Sequence, residues 1–326
     1  MSVQVSLITE PVSQDQILSA VRASLGARAE VLNCAQMHGG HFNTLYDIET
    51  SSPADRVILR TAPRDDWPLY SFERTMMLGE PFVYDLIKRA GVPTTEVLAV
   101  DGSRSIIDRD YMIVRYIDAI PLSDPTVPPD VRPLIMRELG AYTARIHGIS
   151  GALFGRILPD GTIGGSESWA DVFGELLVEM LTRGCEAEII CRADCDSVIE
   201  YYWDHRAVFD ECVQPVLVHN DIWDPNILIK HNGDRWAIEA IIDADRALFA
   251  DREFEFVLWD NPDNDLLAGY GMALGTSANA ALRRDFYRMQ LYMQYAWFYL
   301  LMRPNPDFQA ESQKTALDIA RRLIQE

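Results

Sequence analysis

Val131, Ile135, Leu139, Tyr142 and Ile146 step by 4, 4, 3 and 4 residues, a single apolar stripe that predicts an amphipathic helix. Further helical periods run over 169–183 and 197–211 and through three segments after Asp265. Upstream of residue 120 the pattern differs. VLNCAQM, FNTLYDIET and RVILRTA read as strands, with Ser51, Ser52 and Pro53 marking the turn between the second and third. TEVLAVD and DYMIVRYID read as two more strands. Ser13, with Gln16 three residues later, is a capping-box signature for a helix reaching about Ala27. A helical stretch from about Ser71 to Ala90 is expected to break at Gly79-Glu80-Pro81, where Pro81 starts a new helix or kinks the old one. The Pro-rich segment 121–129 is the candidate boundary. The pattern predicts an α+β protein, with a small antiparallel-sheet N-lobe over 1–120 and a larger helical C-lobe over 121–326.

One segment of the second half departs from the helical pattern: PVLVHNDIWDPNILIKHNGDRWAIEAIIDADRA. VLV, NILIK and WAIEAIID read as short strands, and Asn232-Gly233 between the last two is a strong hairpin signal. Folding there brings Asn226 and Asp243 side by side at the open end, with Asp221 on the loop entering the same strand. Two carboxylates and an amide converge. That set suits an acidic general base beside a hard divalent cation held by one neutral and one charged oxygen.

Composition narrows the class. Of 326 residues 48% are hydrophobic and 24% charged, as in an ordinary globular protein. Lys plus Arg number 29 against 49 Asp plus Glu, a net charge of −20, which excludes a basic nucleic-acid-binding face. The longest apolar stretch, 291–302, contains Gln294 and is too short for a membrane span. MSVQVSLITEPVSQDQ has neither a basic n-region nor an apolar h-region, so a cytoplasmic location is expected. Cys34, Cys185, Cys191, Cys195 and Cys212 are odd in number and read as reduced thiols; the spacing of the middle three matches no common zinc pattern.

His219-x-Asp221-x4-Asn226, followed by Ile241-Ile242-Asp243, resembles the catalytic loop and metal-binding Asp of the protein-kinase-like fold. The match is to its aminoglycoside phosphotransferase and choline kinase-like branch, which includes the fructosamine kinases and whose loop reads H-G-D-x-x-x-x-N. Asn220 stands here for Gly. ALFADREFEF is similar to that branch's G-D-x-x-x-D segment, with Ala250 for Gly and Glu255 for the last Asp. The resemblance, from about Glu30 to Leu300, implies a two-lobed protein-kinase-like fold that binds ATP and Mg²⁺ between its lobes. It implies Asp221 as the base and Asn226 and Asp243 as the metal ligands. Gly39 and Gly40 would approach the nucleotide phosphates, and Arg60 would clamp them where the family usually has Lys. Glu80 would pair with Arg60, with Glu73 as the rival. The backbone of Arg115 and Tyr116 would meet the adenine edge. His219 would brace the loop, and His147 would be a structural, hydrogen-bonded histidine. No P-loop, no G-x-S-x-G elbow and no D-F-G or A-P-E occurs, and Gly269-x-Gly271-x3-Gly275 misses the dinucleotide fingerprint.

The acceptor is harder to read. Asp251, Glu253, Glu255, Asp260, Asp263 and Asp265 crowd the segment after Asp243. Their charge would suit a cationic, aminoglycoside-type acceptor, with Asp224, Glu255 and Asp260 as candidate contacts. A solvated acidic helix face and structural N-caps account for the same residues. Trp223, Trp259, Tyr292, Tyr295 and Trp297 could line a pocket for a larger apolar acceptor such as a macrolide, but core is the preferred reading. The leading expectation is an ATP-dependent kinase of an antibiotic-like hydroxyl, whose partners are a nucleotide and a small molecule, with no nucleic acid or membrane. The alternatives are a metabolic kinase of a ketosamine, choline-like or amino alcohol, and a nucleotide-binding pseudokinase.

Overall fold

The computed structural model describes residues 7–37, 42–52, 54–258 and 264–325. Ser13 caps α1 (Gln14–Leu25) as its spacing predicts: its hydroxyl accepts the Gln16 N–H, and the Gln16 amide oxygen accepts the Ser13 N–H at 3.0 Å. Three antiparallel strands follow, β1 (Val31–Met37), β2 (Thr44–Thr50) and β3 (Arg56–Thr61). Helix α2 (Met76–Arg89) then crosses to β4 (Val97–Asp101) and β5 (Tyr111–Arg115), completing a sheet in the order β1-β2-β3-β5-β4. Alternation decides its two faces. Tyr46, Ile48, Val57 and Leu59 pack with Ile17, Ala20 and Val21 of α1, while Met112 and Val114 meet Met77 of α2 on the other side.

The break expected at Gly79-Glu80-Pro81 does not occur there. A 3-10 turn over Ser71–Arg74 precedes α2, which then runs unbroken through Pro81. Pro81 forgoes one backbone bond early in the helix. The burial of Met77, Gly79, Glu80, Val83, Tyr84 and Ile87 on the packed face outweighs that loss.

The second half holds β6 (Ile120–Pro121), α3 (Arg132–His147), β7 (Phe154–Ile157), β8 (Ile163–Ser166), α4 (Trp169–Glu186), α5 (Arg192–Asp204), α6 (Ala207–Asp210), β9 (Val216–Val218), β10 (Ile227–His231), β11 (Trp236–Ile241), β12 (Leu248–Ala250), α7 (Asn264–Tyr270), α8 (Ala278–Leu301) and α9 (Pro306–Leu323). It contains more strand than the single predicted hairpin. β8, β7, β12 and β9 form a second small sheet, and β11, β10 and β6 a third. The β7–β8 ladder gave no alternating pattern because it is built on Gly155, Gly164 and Gly165. A Cβ on Gly165 would sit 1.8 Å from the Phe154 carbonyl oxygen. Gly269, of the near-miss fingerprint, has a packing role as well: a Cβ there would lie 1.9 Å from the carbonyl oxygen of Arg137, where α7 crosses α3.

The main core is aromatic. Trp169, Phe173, Tyr202, Phe209, Phe254, Phe286 and Tyr287 interlock between α4, α5, α6, α8 and a 3-10 segment over Arg252–Leu258. Trp169 donates to the Tyr287 hydroxyl (2.6 Å), which in turn donates to Asp251 (2.9 Å), so the polar atoms inside this core are partnered. No described helix is long and apolar enough to cross a membrane.

Candidate active site

Strand β9 ends at Val218, and the loop that follows through His219 is bent by Asn220, whose φ of 62° lies in the left-handed region. That explains the departure from Gly, because Asn is among the few side chains that adopt this conformation readily. The N–H groups of His219 and Asn220 both donate to the carboxylate of Glu255, at 2.7 and 3.0 Å. Glu255 is fully buried, and His147 joins it through Nε2 at 3.5 Å while its Nδ1 meets the Tyr270 hydroxyl at 2.7 Å. Glu255 therefore holds the loop from beneath, and the expectation that it contacts an acceptor is corrected: a fully buried carboxylate taken up by two backbone donors has no face for a ligand.

Asn226 turns its amide nitrogen to Asp221, donating to the carboxylate at 2.8 Å and to the backbone carbonyl at 3.0 Å. Burial and the neighbouring charge of Asp243 push the Asp221 carboxyl well above the usual range. The β10–β11 hairpin places Ile227 opposite Ile241, and the Ile242 N–H donates to the Asn226 carbonyl at 3.0 Å. Asn226 and Asp243 are therefore neighbours at its open end. Asp243, at φ 64°, leaves the strand in the left-handed conformation, and its N–H donates to the Tyr84 hydroxyl at 2.8 Å.

Arg60 reaches this point from β3. Nη1 donates to Glu80 at 2.6 Å and Nη2 to Asp243 at 2.6 Å, with Asp245 further off at 3.4 Å. Burial disfavours its charge, but Glu80 and Asp243 outweigh that and keep it firmly protonated. Glu80 is the partner of Arg60. Glu73 instead accepts from Arg246 at 3.0 Å and from the Tyr70 N–H at 3.0 Å.

Asp245 and Arg246 went unread in the sequence. A 3-10 turn over Ala244–Arg246 follows the left-handed Asp243 and carries both into the cleft. Burial and Asp243 push the Asp245 carboxyl up to about 8. Arg246 is held charged, against burial, by Glu73, Asp221 and Asp245. Their only signal was a charged pair inside the apolar run IIDADRALFA.

Other expected residues are placed differently. The Arg115 N–H donates to the Glu96 carbonyl, its own carbonyl accepts from Thr95, and the Tyr116 N–H donates to the Arg56 carbonyl. These groups are taken up by the protein, but Tyr116 lines the cleft and its carbonyl accepts no bond among the described residues. The next residue, Ile117, lines the cleft with an N–H that has no partner among the described residues. Asp224 forms a bidentate pair with Arg132 of α3, at 2.5 and 3.2 Å, and does not line the cleft. Gly39, Gly40 and Asp260 lie outside the described residues, as do Trp259 and Asp263.

These side chains share a cavity of about 750 Å³. Met37, Leu45, Ile58, Val114 and Ile117 line its sheet end, and Tyr70, Gln290, Gln294, Tyr295 and Trp297 its helical end. Trp223, Tyr295 and Trp297 thus face a cavity, which corrects the preferred reading of them as core in favour of the pocket alternative. As for a metal, no three-carboxylate or histidine cluster of metal-binding type occurs among the described residues. Asn226 Oδ1 has no described partner, and the Asp243 side chain is 38% exposed, so two hard oxygens are available. That set fits Mg²⁺, which takes one or two protein oxygens and completes its shell with phosphates and water.

His219 allows a direct pH test. The ring is fully buried, neither nitrogen has a described hydrogen-bond partner, and burial lowers its pKa from 6.5. Folded His219 stays neutral where the unfolded chain takes up a proton, so its stability contribution is complete above pH 6.5 and is lost as pH falls below it. Melting temperatures between about pH 7.5 and 5.5 should therefore fall more steeply for the wild type than for His219→Leu. Equal slopes would mean that the protonated ring finds a partner.

A family model described as "Phosphotransferase enzyme family" matches residues 33–292. No curated protein matches the chain. Among solved structures the chain is similar to one assigned as a fructosamine-3-kinase, from Thermobifida fusca (18% identity, TM-score 0.65, covering 96% of this chain and 100% of that one). It is also similar to a thermostable mutant of an aminoglycoside phosphotransferase, APH(4)-Ia, in ternary complex with AMP-PNP and hygromycin B. Identity there is 19% and the TM-score 0.65, covering 94% of this chain and 98% of that one. A third similar structure is a GDP complex of aminoglycoside 2'-phosphotransferase-IIIa, at 12% identity and TM-score 0.61, covering 95% and 99% of the two chains.

Proposed function

The chain belongs to the phosphotransferase enzyme family; on that premise we propose that it is an ATP-dependent phosphotransferase of hydroxyl acceptors and which of its residues do the work. Asp221 accepts the proton of the acceptor hydroxyl and points the oxygen in line with the γ-phosphorus. Arg60, oriented by Glu80, holds the α- and β-phosphates with its planar fork. Asn226 and Asp243 would hold Mg²⁺, which when bound neutralises phosphate charge. Arg246, fixed by Glu73 beside Asp221, supplies a further positive charge where the phosphoryl group passes. The adenine edge is met by the open carbonyl of Tyr116 and the free N–H of Ile117. Phosphoryl transfer asks mainly for positioning and charge neutralisation, and the cleft offers both.

The observation that carries this reading is the convergence of Asp221, Asn226, Asp243 and Arg60 on one point, joined by the Asp221–Asn226 and Arg60–Asp243 hydrogen bonds. The acceptor is read here as a small-molecule alcohol and no finer. A polycation of aminoglycoside type would need free carboxylates, and the described acids that suggested one have partners. Asp251 is held by Tyr287 and Arg283, Glu253 by Arg284 and the Gly275 N–H, and Asp265 by Arg137.

The test is Mg-ATP binding followed by ADP release over a panel of aminoglycosides, macrolides, ketosamines, choline and amino alcohols, with product mass checked for one added phosphoryl group. Binding together with acceptor-dependent ADP release is expected. Absence of Mg-ATP binding would overturn the assignment of the cleft.

A further inference from the structure

A second cavity, of about 530 Å³, lies between α2, the β7–β8 hairpin and α4. It shares only Met76 and Asp245 with the lining of the cleft. Its walls are largely apolar, built from Met76, Val83, Ile157, Val172, Leu176 and Leu248, and its size suits a small organic molecule. Beside it α2 and β7 touch backbone to backbone, since a Cβ on Gly79 would lie 2.3 Å from the Ile157 carbonyl oxygen, so loose packing there does not create the space. Arg156 of β7 lines this cavity. Its guanidinium lies 3.8 Å over the Phe72 ring and donates through Nη1 to the Arg246 carbonyl at 2.7 Å, while Nε is buried with no partner among the described residues. Burial and the nearby Arg246 push its pKa down to about 9, which leaves it a cation at neutral pH. The carboxylates of the wall are engaged elsewhere. Glu80 accepts from Arg60 and the Ala244 N–H, Glu179 from Ser71 and Arg183, and Asp245 from Arg60 and Asn43. Glu175 is exposed, where water screens its charge. Arg156 thus stands beside an apolar cavity without a carboxylate bonded to it among the described residues, an arrangement that costs free energy until an anion arrives.

We propose that this cavity is a second ligand site, for a small amphiphilic anion with a carboxylate or phosphate-monoester head on an aromatic or aliphatic body. The head pairs with Arg156 and the body lies against the apolar wall. A guanidinium stacked on a ring keeps its N–H edge for an anion. An ammonium group would meet Arg156 as a like charge, and an uncharged molecule would leave it unpaired. Occupancy reaches the phosphate clamp through α2. Glu80, which orients Arg60, lies in the wall of this cavity, and the Arg156 Nη1 bond holds the backbone of Arg246. A ligand that bridges α2 and β7 holds Glu80 where it serves Arg60, and nucleotide binding tightens. That link rests on the phosphotransferase reading above; the binding of the anion does not.

The full chain, its cleft filled with Mg-AMP-PNP, is titrated calorimetrically with 2-naphthoate, 2-naphthyl phosphate, 2-naphthylmethanol and 2-naphthylmethylamine. One equivalent of an anion should bind at least about tenfold more tightly than the alcohol, and the amine should not bind. The tighter of the two anions identifies the acid head. Arg156→Met should abolish the preference for anion over alcohol. Leu176→Trp, which fills the apolar side and keeps the cation, should abolish binding of both, and circular dichroism reports whether each variant folds. By reciprocity the anion should bind about fivefold more weakly when the nucleotide is left out. Equal affinity for alcohol and anion, or an anion preference that survives in Arg156→Met, would overturn the site. An anion affinity indifferent to the nucleotide would overturn the link to the clamp and leave the site standing. Failure of Mg-AMP-PNP to bind would overturn the phosphotransferase reading, while the comparison of wild type with Arg156→Met would still decide the site.

Discussion

Asp221→Asn lowers kcat by about 10² to 10⁴, the usual worth of a positioned general base, while Mg-ATP still binds. The substitution is chosen for its shape. An Asn at 221 keeps a carbonyl oxygen that can accept from the Asn226 amide, which now donates to Asp221 at 2.8 Å, so the loop should keep its course. What is lost is the negative charge that draws the proton from the acceptor hydroxyl. The backbone donors of His219 and Asn220 remain anchored on Glu255 and do not depend on position 221. The effect should therefore fall on kcat, with the KM for ATP changed much less. Single-turnover rates beside nucleotide binding would separate the two. Turnover within a few-fold of wild type would remove Asp221 from the base's role.

Arg60→Met is the most destabilising substitution expected in the cleft. The guanidinium is 8% exposed and Glu80 fully buried, and the same cation also faces Asp243 and Asp245. Removing it leaves the fully buried Glu80 with no counter-charge, while Asp245 keeps Arg246 nearby, a change that costs about 3–5 kcal/mol when one partner of a buried pair is lost. Denaturant unfolding of the ligand-free protein should show that loss. Glu80→Leu added to Arg60→Met should recover part of the stability, because two apolar groups can replace a buried ion pair at little cost. It should recover no activity, because the phosphate clamp is still missing. Arg60→Lys keeps the charge but loses the fork that spans Glu80 and Asp243, so it should fall between. A loss below about 1 kcal/mol in Arg60→Met would show that this pair does not tie α2 to the sheet.

Much of the site was legible because its signals are local. The capping box at Ser13 and the hairpin at Asn232-Gly233 depend on residues within a few positions of one another. The spacing of Asp221 and Asn226 then needed only that hairpin to bring Asp243 alongside. Other features had no local signal. Glu80 and Glu73 both lie ahead of β4, and the choice between them turned on whether the helix stops at Pro81. Glu255 looked like a ligand for an acceptor because an acidic residue reads the same in sequence whether it binds solvent, a substrate or two backbone N–H groups.

The sequence by itself determined the α+β pattern, the strand–loop–hairpin unit that carries the chemistry, and the family to which it belongs. Only the tertiary structure decided which charges are spent inside the protein and which face the cleft. Arg60 meets Asp243 across 183 positions, Arg132 meets Asp224 across 92, and Arg137 meets Asp265 across 128. Each pairing is settled by packing that brings remote elements together, because a buried charge is tolerated only where a partner arrives with it. The same holds for the face of α8. Its rings and amides suit a core as well as a pocket, and only the space left between the helix and the catalytic loop makes them a binding wall.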